Sequence, residues 1–166
     1  MGIADGGHDI ARRDKWNGSD EATKEIQKVN GTMVAEDLTA AVAYMKKQGY
    51  VNGKVGVVGY CWGGTVSWVS AARLSGLACS VCYYGGGIPG LMNEKPKCPV
   101  MFHWGETDHA ISLADAKKAA AAHPEAQSFI YQAGHGFNCD HRGSYHADSA
   151  KLARTRSLDF LRKHIG

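Results

Sequence analysis

Three side chains with complementary chemistry stand far apart in this chain: Cys61, Asp108 and His135. A thiolate is a nucleophile, an imidazole takes and returns a proton near neutral pH, and a carboxylate fixes the imidazole's tautomer. Cys61 lies in Gly59-Tyr60-Cys61-Trp62-Gly63-Gly64, between a strand-like apolar run and a helix-like segment. That is the context of a nucleophile elbow. So tight a turn needs small residues on either side, and both flanks are glycine. The motif predicts a sulfur raised above a sheet at a helix N-terminus, where the dipole favours the thiolate. The backbone N–H of Trp62 would be one oxyanion-hole donor. Read alone, the motif also fits a buried cysteine in a plain packing turn.

The other two residues favour the chemical reading. Asp108 comes just after the strand-like Phe102-His103-Trp104, and His135 just after the next strand, in Gln132-Ala133-Gly134-His135-Gly136-Phe137. Active sites of open α/β sheets form at those C-terminal strand ends. Nucleophile, acid, histidine is also the chain order of the α/β-hydrolases. Glu106 competes for the acid position but lies nearer its strand, so Asp108 is preferred. His135, between two glycines, is expected on a flexible, accessible loop. Four residues, His135, Cys139, His141 and His146, form a rival metal-binding set, but their spacing fits no zinc template well. No metal is assigned. The segment Asn138-Cys139-Asp140-His141-Arg142 is read as lining or capping a pocket.

These residues need a scaffold, and the pattern supplies one. Val34, Leu38, Ala41, Val42 and Met45 recur at helical spacing, with Glu36 and Asp37 towards one end, Lys46 and Lys47 towards the other, and Gly49 placed to stop the helix. Residues 54–59 read as a strand covered on both faces, and residues 64–74 as a helix. Residues 78–84 and 99–104 are strand-like, with Pro99 tolerable only at the entrance. Ser112 is a candidate N-cap, with Asp115 completing a box, for an alanine-rich helix through Ala122. Residues 127–131 form a fourth strand. A last helix over 147–164 would bury Ala150, Ala153, Leu158, Leu161 and Ile165. This alternation predicts an α/β fold of about four parallel strands flanked by helices, in one domain spanning 1–166. Residues 1–30 are poorly legible, with only Ser19 to Val29 suggesting a short helix.

Composition narrows the function. A net charge of +3 with scattered Lys and Arg, apart from the short patch Arg12, Arg13 and Lys15, gives nucleic-acid binding little support. No apolar run approaches the roughly 18 residues of a membrane span, and no signal peptide is visible. The expected location is cytoplasmic. Five cysteines are an odd number for a disulfide framework, and the Cys79–Cys82 pair reads as strand packing.

With these motifs in view, the chain resembles the dienelactone hydrolase (carboxymethylenebutenolidase) family from about Val34 onward. The resemblance rests on residues 53–64, on Tyr83-Tyr84-Gly85, on Gly105 to Asp108, on Ala133-Gly134-His135-Gly136-Phe137 and on residues 156–161. It implies a partial α/β-hydrolase fold with Cys61 as nucleophile, His135 as base and Asp108 as its partner. It also implies hydrolysis of small esters or enol-lactones through an acyl-thioester, with no cofactor. Tyr84, Phe137, Cys139 and Arg142 are candidate pocket residues. Family members carry further N-terminal strands, with a second oxyanion amide and a carboxylate that controls the thiolate, and the chain is expected to start too late for these. A substrate-gripping arginine of the family corresponds to Cys139, with Arg142 a conceivable substitute. The strand at 55–58 would then be an open apolar edge, so a homo-oligomer covering it is expected. The alternative function is a catalytically impaired hydrolase serving as an oligomeric binding module.

Overall fold

A computed structural model of the protein describes residues 31–166. The basic patch at 12–15 and the helix expected over 19–29 lie outside them. The chain divides into two compact units, Met1–Glu36 and Asp37–Gly166. The second holds the sheet and every candidate site residue.

In chain order the elements are α1 (Gly31–Lys46), β1 (Gly56–Tyr60), α2 (Trp62–Arg73), β2 (Cys79–Tyr83), a 3-10 turn (Ile88–Leu91), β3 (Val100–Gly105), α3 (Leu113–Ala122), β4 (Gln127–Tyr131) and α4 (Ala147–Ile165). The strands pair in parallel in the order β1-β2-β3-β4. This is the α/β arrangement the alternating pattern predicts, because parallel neighbours need helical crossovers. Strands β2 and β3 are buried at every residue, as interior strands with covered faces must be. No helix among the described residues is long and apolar enough to cross a membrane.

Several boundaries differ from expectation for physical reasons. The run at 54–59 is not covered on both faces: β1 pairs only with β2 among the described residues, leaving Val58 39% and Tyr60 47% exposed. Helix α1 starts ahead of its first periodic residue, so Glu36 and Asp37 miss the first turn, which holds no acid. The helix ends at Lys46, and hydrogen bonds from Lys47 N–H to Tyr44 O and from Gln48 N–H to Met45 O close its last turn before Gly49 is reached. The first glycine with positive φ after this helix is Gly53, at 82°. Leu38 and Val42 pack on the core, whereas Met45 is exposed. At α3 the expected cap is present: Ser112 Oγ accepts from Asp115 N–H at 3.1 Å and donates to Asp115 Oδ2 at 2.7 Å. Cys79 and Cys82 are free and buried in β2, and burial pushes the Cys82 thiol up to about 12. Such thiols are inert packing groups.

Helix α4 buries Ser149, Ala150, Ala153, Ser157 and Phe160, while Leu158, Leu161 and Ile165, expected inside, are only half-buried. Ser157 is inside because it closes a polar chain through the core. Arg156 Nη1, its guanidinium 4.1 Å from the Phe129 ring centre, donates to the Tyr131 hydroxyl at 3.2 Å. That hydroxyl's own proton is then free for His103 Nδ1 at 2.7 Å, leaving Nε2–H to donate to Ser157 Oγ at 2.9 Å. Ser157 Oγ meets the Tyr83 hydroxyl at 2.7 Å. The chain ties β2, β3 and β4 to α4 and satisfies polar groups that would otherwise be costly to bury.

Burial, with the Arg156 charge behind it, lowers the His103 pKa from 6.5 to about 3. The folded protein holds this imidazole neutral, so its contribution is complete above pH 6.5 and falls as acid protonates the unfolded chain. His103→Gln should cost about 1–3 kcal/mol near neutrality, as expected for an interrupted buried network. Thermal melts should show the gap between wild type and variant narrowing from pH 7 to pH 5. A gap that stays constant would contradict this account.

Candidate active site

The site begins at the junction of β1 and α2. Cys61 occupies the N-cap of α2 with φ 56° and ψ −122°, a conformation that L-residues rarely adopt. Its N–H donates to Tyr83 O at 3.0 Å, and its carbonyl accepts from Gly64 N–H at 2.9 Å and Thr65 N–H at 3.3 Å. The turn depends on two glycines, of which Gly59 is one of the two flanks expected and Gly64 is not. A Cβ on Gly59 would fall 1.9 Å from Gly63 O, and one on Gly64 would fall 2.3 Å from Tyr83 O. Gly63, by contrast, has nothing within 4 Å of its Cβ position. Gly64 is the packing glycine, and the adjacent Gly63-Gly64 pair was the available signal for it.

The acid and the base arrive on neighbouring loops that the ends of β3 and β4 hold together. Glu106 N–H donates to Tyr131 O and Thr107 N–H to Ala133 O. A Cβ on Gly105 would lie 2.5 Å from Ala133 O, so glycine permits this approach. Asp108 turns inward, its Oδ1 accepting from Ala110 N–H at 2.7 Å and Ile111 N–H at 3.1 Å. Its Oδ2 lies 2.9 Å from His135 Nδ1, and His135 Nε2 lies 3.1 Å from Cys61 Sγ. Glu106 is exposed and takes no part in this line. The three residues chosen from chain order thus meet within hydrogen-bond reach.

The expectation of an accessible His135 loop is overturned: the residue is only 8% exposed. The Tyr84 ring stands 5.1 Å and the His109 ring 5.4 Å from the imidazole. His109 was missed in the sequence, its only signal being its place beside Asp108. Phe137 is fully buried and backs Tyr84 at 5.4 Å and Tyr131 at 5.1 Å. It supports the site from behind. Cys139 is half-buried and Arg142 exposed, and the Arg142 stem and Nη1 come within 3.1 Å of a Cβ position on Gly136. Asn138 and Asp140 also line a cleft of about 330 Å³ with Tyr145, Lys151 and Arg154.

The rival metal set does not assemble. His146 caps α4, accepting from Ser149 N–H at 3.3 Å, and His135 is held by Asp108 and Cys61. Among the described residues, ligand atoms cluster only at the consecutive Cys139, Asp140 and His141.

Electrostatics couple the sulfur to the ring. The hydrogen bond to His135 lowers the Cys61 thiol below its usual value, helped by the His135 charge, the Trp62 N–H and Arg142 against the opposing cost of burial. His135 is raised, first by its bond to Cys61 and then by Asp108. Each group's charged form favours the other's. Such an arrangement can move a proton from sulfur to nitrogen and back.

The pattern of residues has counterparts. The dienelactone hydrolase family model matches residues 9–165. The chain belongs to that family. A carboxymethylenebutenolidase of Pseudomonas putida is 39% identical over 131 residues, 75% of this chain and 55% of the relative. Another, from Pseudomonas sp. strain P51, is 35% identical over 134 residues, 76% and 55% of the respective chains. The chain therefore spans about half the length of these relatives. The crystal structure of a proposed dienelactone hydrolase from Klebsiella pneumoniae subsp. pneumoniae superposes with a TM-score of 0.79 at 26% identity, covering 88% of this chain and 68% of the other.

For this dienelactone hydrolase family member, the two elbow glycines separate in a direct test. Gly59→Ala should destabilise the fold by at least about 2 kcal/mol, because backbone cannot yield to a new methyl group. Gly63→Ala, in the first turn of α2, should be neutral or stabilising by up to about 1 kcal/mol. Urea unfolding checks both, and equal effects would show that the crowding described is wrong.

Proposed function

We propose that the chain is a thiol-dependent hydrolase of small esters or lactones, dienelactone-like enol-lactones included. The reading rests on the juxtaposition of Cys61 Sγ and His135 Nε2 at 3.1 Å, with Asp108 behind the ring at 2.9 Å. In the first step Cys61 loses its proton to His135 Nε2, and the sulfur attacks the substrate carbonyl. The C=O electron pair moves onto oxygen, where the Trp62 N–H at the start of α2 can donate to it. Collapse expels the alkoxide, which takes the imidazolium proton and leaves an acyl-thioester on Cys61. Water, deprotonated by His135, then attacks that thioester, and the departing sulfur is the better leaving group. Asp108 keeps Nδ1 protonated throughout, so Nε2 stays the working nitrogen. No step requires a cofactor. The five free cysteines suit a reducing cytoplasm.

Turnover of p-nitrophenyl acetate tests this. Cys61→Ala and His135→Ala should each lose at least about 10²-fold, and intact-mass measurement of the wild type should find the acyl group on Cys61. Equal background in all three proteins would favour the impaired binding module instead. Alkylation of Cys61 by iodoacetamide should have its inflection below the ordinary thiol pKa. In His135→Ala that inflection should move upward, because the bond that lowers it is gone. An unmoved inflection would exclude His135 as the partner.

The proposal includes a homo-oligomer. At the β1 edge Val58 and Tyr60 are exposed, and a second copy that adds a strand or apolar face there would cover them. Light scattering across a concentration series should show a dimer or larger species, which Val58→Lys weakens. A wild type that stays monomeric throughout removes this part of the proposal.

A further inference from the structure

The loop after His135 carries polar residues that the proposed cycle does not use. Asn138, Asp140 and Tyr145 of this loop line the cleft of about 330 Å³ together with Ala150, Lys151 and Arg154 of α4. Backbone bonds hold the loop in shape. Arg142 N–H donates to Cys139 O at 3.1 Å, Tyr145 N–H to Arg142 O at 3.0 Å, and His146 N–H closes the loop on Phe137 O at 3.0 Å. Phe137 is fully buried, and α4 buries Ala150 and Ala153 beneath the cleft's other side. Both sides are thus anchored in the core. The volume falls within the roughly 300–1,000 Å³ usual for small-molecule sites.

The lining is polar and short of partners. Lys151 and Arg154 stand three residues apart on α4, which makes them neighbours on one helix face. Further along the same helix Arg162 pairs with Asp159 at 3.0 Å. The Lys151 and Arg154 side chains, by contrast, have no ion pair or hydrogen bond among the described residues. The side-chain amide of the half-buried Asn138 and the Tyr145 hydroxyl also lack a hydrogen-bond partner among them. Asp140 is the acid of the lining, and its carboxylate meets His141 Nδ1 at 2.7 Å. Two cations against one carboxylate leave the cleft one positive charge in excess. That balance suits a monoanion better than a dianion. An arginine offers a planar fork of N–H donors matched to a carboxylate, and a lysine adds a point charge.

We propose that this cleft is a binding site for small organic carboxylates, held by Arg154 and Lys151. None of Cys61, Asp108 and His135 lines it, and the assignment does not depend on the hydrolase reading. The Arg154 fork and the Lys151 ammonium take the carboxylate. The Asn138 amide and the Tyr145 hydroxyl serve further oxygens of the ligand, and the Tyr145 ring and Ala150 meet its carbon skeleton.

Benzoate is the probe, followed through the backbone amide NMR shifts of the full chain at low ionic strength. Signals from residues 138–154 should move saturably, and should still do so after Cys61 is blocked with iodoacetamide. Lys151→Gln combined with Arg154→Gln should weaken the affinity by at least about tenfold, as expected for lost charge-assisted contacts. Each single substitution should weaken it less, and added salt should weaken binding to wild type. Benzyl alcohol, which keeps the ring and lacks the charge, should leave these signals in place. A double variant that melts like wild type and binds benzoate equally well would overturn the proposal. So would shifts that benzyl alcohol reproduces, or shifts that vanish once Cys61 is blocked, since these place the probe elsewhere. A wild type inert towards p-nitrophenyl acetate would sink the hydrolase reading and leave this site standing.

Discussion

The backbone at Cys61 sits in a region that costs an L-residue about 1–3 kcal/mol, and the surrounding structure leaves it no way to relax. On one side Gly59 lies so close to Gly63 O that a methyl group could not be inserted, and on the other Gly64 lies against Tyr83 O. Three backbone hydrogen bonds through the Cys61 N–H and carbonyl fix the turn from β1 into α2, one of them to Tyr83 of β2. The consequence is positional. Strand β1 cannot run on into α2 without lifting one side chain above the sheet, and that side chain is the thiol.

Lifting a thiol is not enough to make it reactive. The buried cysteines show the default, with Cys82 pushed up to about 12 and Cys98 to about 11, burial being the leading cause in each. Cys61 moves the other way because a ring nitrogen, a helix-start N–H and a cation all act on it. The difference between a thiol whose pKa is raised and one whose pKa is lowered in this chain is therefore one of address. A strand-interior sulfur meets apolar neighbours, and a sulfur at the strand's end meets dipoles and charges.

That distinction explains which parts were legible in the sequence. The convergence of Cys61, Asp108 and His135 could be read because it depends on rank along the chain and on strand ends, which hydrophobic runs mark well. Strand β4 and the Ser112–Asp115 cap were legible for the same local reason. The polar chain from Arg156 through Tyr131, His103 and Ser157 to Tyr83 was not. Its members lie on four elements and have no common spacing, and a serine on a helix gives no sign that it will be buried. The burial of His135 was hidden as well, since glycines on both sides suggest freedom, while the rings that enclose it come from residues 84 and 109. The exposed side of β1 does not follow from its apolar run, which suggests two covered faces. It is the family resemblance that leads to the expectation of an open edge at 55–58, and among the described residues β1 pairs with β2 alone.

Two buried histidines, one within the sheet and one just past its edge, are held in opposite charge preferences. His103 lies inside β3 and meets only neutral hydroxyls, with a cation beyond them, so the fold holds it uncharged. His135 lies past the end of β4, and with a carboxylate on one nitrogen and a sulfur on the other it is drawn towards the charged form. The same imidazole is a neutral cross-link in one place and is held between a sulfur and a carboxylate in the other. What separates them is a short distance along the sheet and the presence of an anion. A sheet whose interior neutralises and whose C-terminal edge ionises has its chemistry located before any substrate contact is specified. The loop beyond that edge brings a half-buried Cys139 and an exposed Arg142 after His135.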